Sequence, residues 1–205
     1  MNPEDARAQL AYIQKLLERS TQYTNISPWS AIGPGICGTA AAIYSQWLLD
    51  NSMAYQHYLH ELIVIWSVSF MVSMLLAVGF AKRRARAFHE KLWSTPVKHG
   101  VKNFMVLFFL GAVWTLACVH HAFFFFIPAG WMLSYGAGIY VGSLYSLHEL
   151  KYLAWLFLIT GTIAAFNPFV NFLMLLISFG LGHLLFGLVV YFRYTRSQNH
   201  HNHHD

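Results

Sequence analysis

Six long apolar runs separated by shorter polar segments dominate the chain. They cover approximately residues 28–49, 60–80, 102–124, 128–147, 150–166 and 168–192. A transmembrane helix needs about 20 apolar residues to cross the hydrocarbon core, and each run is close to that length, residues 150–166 being the shortest. The pattern therefore predicts an all-α, polytopic membrane protein whose six-helix transmembrane bundle occupies residues 28–193.

Composition favours a membrane bundle over a soluble fold. Hydrophobic residues make up 57% of the chain and charged residues only 10%, whereas soluble domains carry about 25% charged residues. Many aromatic residues lie at the ends of the apolar runs, as in the aromatic belts at membrane interfaces. A soluble domain of this length could not bury so much apolar surface.

The basic residues predict the orientation of the bundle. With six helices, all 13 Lys and Arg residues fall on one side of the membrane, and the opposite loops near 50–60, 122–128 and 167 contain none. The positive-inside rule places the basic side in the cytoplasm, so both termini are expected there. The separation also supports the count of six, because omitting one helix would distribute the charges over both sides.

Polar segments flank the predicted bundle. In residues 1–27, apolar side chains recur at helical spacing at Ala6, Leu10, Ile13 and Leu17, which predicts a cytoplasmic amphipathic helix on the membrane surface or on the bundle. Residues 194–205 form a cytoplasmic His-rich tail, which either binds metal or has no function of its own. The basic loop at 82–102 is expected to contact anionic lipid headgroups, and no nucleic-acid partner is expected.

Small residues recur every four positions along the fourth predicted helix. They are Gly130, Ser134, Gly138, Gly142 and Ser146. In lipid, small side chains at this spacing let two helix backbones approach closely. Two interpretations follow: helix four is the central helix of the bundle, or it carries a face for homodimerisation or for a partner membrane protein.

His183 is the histidine that lies deepest in an apolar run. It falls about 15 residues after the outer start of helix six, or ~22 Å at about 1.5 Å per residue. An ionisable residue at such a depth is a functional candidate, as a haem ligand, a proton relay or a ligand contact. The alternative is a neutral histidine bonded to a neighbouring helix. Nearby glycines leave room for another helix or a ligand, and His148 and Glu149 are candidate partners.

A second histidine group lies near the opposite face of the membrane. His57, His60 and Glu61 fall within about one and a half helical turns, and His121 ends a small, polar face of helix three. Imidazole combined with carboxylate suits zinc, copper or iron. The group predicts either a transition-metal or haem site joining helices two and three, or ordinary interfacial polar residues.

Four stretches of the sequence resemble a known family. They read Leu-Leu-Glu-Arg-Ser-Thr at 16–21, Ile-Pro-Ala at 127–129 followed by Leu-Ser-Tyr-Gly-Ala-Gly at 133–138, Glu-Leu-Lys-Tyr-Leu at 149–153, and Ser-Phe-Gly-Leu-Gly-His-Leu-Leu-Phe-Gly at 178–187. The chain resembles uncharacterised bacterial membrane proteins of about this length, often encoded beside a small winged-helix regulator. The resemblance implies a six-helix, multi-pass protein of the bacterial inner membrane and no established activity.

Three functional hypotheses remain open on the sequence. No nucleophile with an adjacent base, membrane-embedded carboxylate pair or nucleotide-binding motif in a suitable context is recognisable. This favours a non-enzymatic protein that binds a small ligand, a lipid or a partner, with sensing or envelope homeostasis as the expected process. The alternatives are a histidine-based metal or haem protein, and a small transporter or channel with His183 on its path.

Overall fold

The computed structural model describes Gln9 and residues 26–51, 55–87 and 93–195, without the side chains of 55–58, 95–96 and 194–195. The described residues are helical apart from short connections and contain no strand. This confirms the all-α class. The predicted amphipathic helix and all but the first two residues of the predicted His-rich tail lie outside the described residues.

The described residues form six helices, as the apolar runs predict. They are α1 (Trp29–Asn51), α2 (Tyr55–Ala87), α3 (Thr95–His120), α4 (Ile127–Ser143), α5 (Leu150–Phe166) and α6, which covers residues 168–195. A short 3-10 helix, Phe124–Phe126, precedes α4. Prolines lie in the first turns of α3, α4 and α6, where a missing backbone N–H costs nothing because that group has no partner within the helix.

The winding of α6 changes along its length. A 3-10 turn at Pro168–Val170 leads into an α-helical turn at Asn171–Leu175. The next seven residues, Leu176–Gly182, are wound as a π-helix. The α-helix resumes at His183–Val190 before a second π turn at Tyr191–Thr195. The first π segment therefore ends directly before His183.

Several helix ends differ from the boundaries of the apolar runs. The predicted second helix ends near residue 80 and the predicted third begins near 102, whereas α2 continues to Ala87 and α3 begins at Thr95. Apolar runs mark the part of a helix that suits lipid, while Lys, Arg and Ala continue a helix readily into water. The predicted fourth helix is too long, because α4 ends at Ser143 and turns follow.

Four helical segments are long and apolar enough to cross a membrane. They are Leu59–Ala87, Val97–His120, Phe124–Ser143 and Pro168–Arg193. The helix α5 is also apolar but has only 17 residues. Large apolar side chains face outward, such as Leu75, Leu116 and Leu185, with 69%, 71% and 61% of their surfaces exposed. Such a surface fits a lipid environment.

Neighbouring helices pack antiparallel, in the order α2, α1, α6, α5, α4 and α3. Close contacts that establish this include Trp66 of α2 with Ser45 of α1, and Gly136 of α4 with Phe157 of α5. We call the end where α2, α4 and α6 end the basic end, and the opposite end the far end. The described side chains of α2 are exposed or half-buried except Ala85, so the core is built mainly from α1, α4, α5 and α6.

Glycines bring the backbones of α1 and α6 unusually close together. A Cβ atom added at Gly38 would lie 2.6 Å from the carbonyl oxygen of Phe179, and one at Gly35 would lie 2.9 Å from the backbone nitrogen of Leu184. On α6, Gly180 faces Thr39 and Gly187 faces the start of α1. The space beside these glycines of α1 and α6 is occupied by the other helix of the pair.

The small residues of α4 face a neighbour within the bundle at two positions. A Cβ atom at Gly130 would lie 2.0 Å from the Trp114 ring of α3, and one at Gly138 would lie 2.7 Å from the Phe104 ring. At Gly142 no atom of the described residues, apart from the local helix, lies within 4 Å of that position. Gly130 and Gly138 thus pack closely against α3 of the same chain, and the central-helix interpretation stays a prediction. Homodimerisation through Ser134, Gly142 or Ser146 stays a prediction.

We expect Gly38→Ala to lower the free energy of unfolding by about 1–3 kcal/mol, the usual range for overpacking. The added methyl would contact a backbone carbonyl, which cannot rotate away as a side chain can. Gly79→Ala on α2 is the matched control, because no described atom beyond its own helix turn lies within 4 Å of the added carbon. Unfolding of the purified protein in mixed detergent and SDS micelles measures both. Equal stabilities would contradict the close approach.

Candidate functional site

His183, which is buried, and Tyr135, which is half-buried, form a hydrogen-bonded pair near the middle of the bundle. The Nε2 atom of His183 lies 3.1 Å from the hydroxyl of Tyr135, and Nδ1 lies 3.4 Å from the carbonyl oxygen of Ser178. A carbonyl can only accept, so we assign the ring proton to Nδ1. In the neutral ring Nε2 then accepts a hydrogen bond from the Tyr135 hydroxyl.

The π segment of α6 shapes the surroundings of His183. π-Helical turns pair residues five apart and occur frequently at functional positions. Ser178 lies within the segment, five residues before His183, and its carbonyl oxygen contacts the imidazole. The Ser178 hydroxyl in turn donates to the carbonyl oxygen of Met174 at 2.8 Å. Local winding therefore supplies one of the two partners of the ring.

Aromatic rings from α6 itself and from other helices enclose this pair. The Phe179 ring is stacked on His183 with an interplanar angle of 7°, and Phe157 of α5 meets it edge-on at 5.5 Å. Phe104 of α3 packs against Tyr135, and Trp66 of α2 packs against Phe179. The Trp66 indole N–H donates to Ser45 of α1 at 3.1 Å. All six helices thus contribute to one central cluster.

The geometry of His183 favours the interpretation of a neutral histidine bonded to a neighbouring helix. The residue is only 7% exposed, and both of its ring nitrogens have partners inside the bundle. In this arrangement neither nitrogen is left for a haem iron or a transition metal. Tyr135 is the partner that sequence reasoning missed. The position of Tyr135 within an apolar run indicates a polar group at that depth. It does not indicate which helix the tyrosine side chain faces.

The predicted partners of His183 have other contacts. His148 is exposed, and its ring packs edge-on against Tyr152 at 6.1 Å. Glu149 is 8% exposed and accepts a hydrogen bond of 2.7 Å from Arg193 of α6. Neither appears among the described polar or ring contacts of His183. The sequence could have indicated this ion pair, because Glu149 and Arg193 carry opposite charges and are both expected at the basic end.

The histidines at the far end whose side chains the structure describes are exposed. His60, Glu61 and His121 all have exposed side chains, and the His121 ring contacts the rings of His120 and Phe123. Among the side chains that the structure describes, no group of three His, Cys, Asp or Glu residues is placed to hold a metal ion. The side chain of His57 is outside that set, so the predicted site of four residues stays a prediction.

A cavity of about 280 Å³ lies between the helix ends at the far end. Its aromatic lining consists of Phe124, Phe125, Phe126, Phe169 and Phe172. The rest of its described lining is Leu49, Leu59, Leu62, Pro128, Pro168 and Asn171. Of these side chains only Asn171 is polar, and none is an acid, a base or a nucleophile.

Asn171 is a buried amide with one satisfied and one unsatisfied side. The residue is 3% exposed, and its Nδ2 donates to the carbonyl oxygen of Phe125 at 2.7 Å. Its Oδ1 is buried and has no hydrogen-bond partner among the described residues. The importance of Asn171 was not predicted from the sequence. The feature that could have indicated it is an amide side chain four positions after Asn167, inside an otherwise apolar run.

We expect Tyr135→Phe to lower the free energy of unfolding by about 1 kcal/mol, because it leaves the buried Nε2 of His183 without a donor. Tyr140→Phe is the matched control, since Tyr140 is on the same helix but exposed. In a double-mutant cycle, the effect of Tyr135→Phe should disappear in a His183→Leu background. Equal effects of Tyr135→Phe and Tyr140→Phe would show that the hydrogen bond adds no stability.

Comparison with known proteins gave no match: no protein-family model, no curated protein and no solved structure matches this chain. The resemblance to bacterial six-helix membrane proteins therefore stays a prediction.

Proposed function

We propose that this chain is a six-span protein of a bacterial inner membrane, with both termini in the cytoplasm, that binds an apolar, lipid-like ligand at its far end. It acts by binding and not by catalysis. In this proposal the basic end faces the cytoplasm and the far end faces outward.

Two features support six spans with this orientation. The helices alternate in direction, and every Lys and Arg of the chain falls at the basic end when all six cross the membrane. The helices α4 and α5 are the shortest, with 17 residues each, but a 3-10 turn precedes α4. The 17 residues of α5 extend ~25 Å at about 1.5 Å per residue. This is slightly less than the hydrocarbon thickness, a mismatch that costs only fractions of a kcal/mol per Å. Its neighbours α4 and α6 also shield it.

The cavity at the far end is the observation that carries the proposed function. Its volume of about 280 Å³ is close to the lower end of the roughly 300–1,000 Å³ range of small-molecule sites. Phe125 and Phe169, both in its lining, are 53% and 99% exposed, so the cavity borders the surface that would contact lipid. A lining without a described acid, base or nucleophile suits binding of an apolar chain and not a reaction.

The orientation is tested with single cysteines in a Cys37→Ala, Cys118→Ala background, since both native cysteines are free. We expect a membrane-impermeant maleimide to label Asn167→Cys in intact cells. Arg86→Cys at the basic end should react only after the membrane is permeabilised. Labelling of Arg86→Cys in intact cells, with Asn167→Cys protected, would contradict the proposed orientation.

Ligand binding is tested by filling the cavity. In lipid nanodiscs, we expect an alkane carrying a diazirine to label peptides containing residues 124–128 and 168–172. Leu62→Trp should reduce this labelling several-fold, because the indole would occupy space in the cavity. Leu75→Trp is the matched control on α2, where the side chain is 69% exposed on the outer surface. Equal labelling of the two variants, or no labelling of these peptides in the unmodified protein, would contradict the proposal.

A further inference from the structure

We infer that the ligand of the far-end cavity is a neutral single-chain amphiphile with a hydroxyl group, which donates a hydrogen bond to Oδ1 of Asn171. This inference rests on the proposed function and specifies the chemical class of the ligand. It is carried by the state of the Asn171 amide and by the distribution of charge around the cavity.

The orientation of the Asn171 amide is fixed by its partner. The carbonyl oxygen of Phe125 can only accept, so the amide group 2.7 Å from it must be the NH₂. A flipped amide would place two acceptors against each other. The oxygen is therefore the side that remains for another molecule, and the connection between α3 and α4 holds it there.

The Oδ1 atom of Asn171 is a hydrogen-bond acceptor that could be paired with a donor from a ligand. Buried polar atoms in folded proteins almost always have a hydrogen-bond partner, and one without a partner is unfavourable for the fold. Asn171 Oδ1 lacks such a partner among the described residues, although it belongs to a residue that lines the cavity. A ligand hydroxyl would satisfy this atom. Since Oδ1 is not in contact with solvent, the hydroxyl reaches it only when a lining side chain shifts.

The charges around the cavity exclude an anionic headgroup as the recognised part. None of the described lining residues is charged. The loops of the far end, near residues 50–60, 122–128 and 167, contain no Lys or Arg. A phosphate or carboxylate there would have no Lys or Arg to bind, and the described lining contains no histidine. A hydroxyl on an acyl or isoprenoid chain fits both the apolar lining and the single neutral acceptor.

Two photoactivatable probes test the inference on the full chain in nanodiscs: a long-chain alcohol carrying a diazirine, and its methyl ether, which retains the oxygen but has no donor. We expect half-maximal labelling of peptides containing residues 124–128 and 168–172 at a concentration about tenfold lower for the alcohol. Asn171→Leu should remove this difference, because it weakens the binding of the alcohol and leaves the binding of the ether unchanged. Labelling by the ether serves as the check that this variant keeps its cavity.

The outcomes separate the inference from the proposed function. If the alcohol and the ether label these peptides equally well in the unmodified protein, the cavity binds apolar chains without reading a hydroxyl, and the inference is wrong. The same holds if the preference for the alcohol survives Asn171→Leu. If neither probe labels these peptides, the proposed function itself is wrong. A tenfold preference that Asn171→Leu abolishes supports both.

Discussion

The close approach of α1 and α6 is the constraint on which the rest of the bundle depends. A methyl group at Gly38 would lie 2.6 Å from the carbonyl oxygen of Phe179, so the two backbones meet where only hydrogen fits. In lipid, such contact replaces the hydrophobic drive that packs helices in water. It fixes Phe179 at the centre of the bundle, and the Phe179 ring then orders His183, Phe157 and Trp66 around it.

Hydrogen bonding inside the bundle follows from the lack of water there. Ser45, Thr160 and Ser178 donate to carbonyl oxygens of their own helices, and the imidazole of His183 has two partners. Against this background Asn171 Oδ1 is an exception. The hydroxyl of Ser94 is also unpaired, but it lies beside residues 88–92, which the structure does not describe. The Asn171 oxygen instead belongs to a residue that lines the far-end cavity.

Helix number and position were predictable because each apolar run is long and bounded by prolines or charges. The boundaries predicted for α5, 150–166, agree with the structure. The extended ends of α2 and α3 were not predictable from hydropathy, since Lys and Arg form helix outside lipid as readily as apolar residues do within it. Hydropathy therefore locates the apolar middle of a helix but not the residues at which the helix begins and ends.

The candidate sites were less predictable, because they depend on how helices rotate and which ends meet. The depth of His183 along α6 correctly predicts that it is buried. Depth alone also predicts His148 as its partner, because both residues are expected near the same face of the membrane. Tyr135, the actual partner, required the rotation of α4. The cavity around Asn171 combines the ends of α1, α2 and α6 with the α3–α4 connection. No local pattern in the sequence contains that arrangement.

The two ends of the bundle differ in the side chains that they carry, and the central ring cluster separates them. At the basic end Arg193 ties α6 to Glu149 beside α5, and the central ring cluster fills the space between the helices. A path past His183 would have to part Phe157 and Phe179, whose ring centroids lie 4.7 Å apart. The ligand proposed for the far-end cavity would therefore exchange with the membrane around that end and would not pass through the bundle. This geometry suits a binding or sensing protein better than a channel.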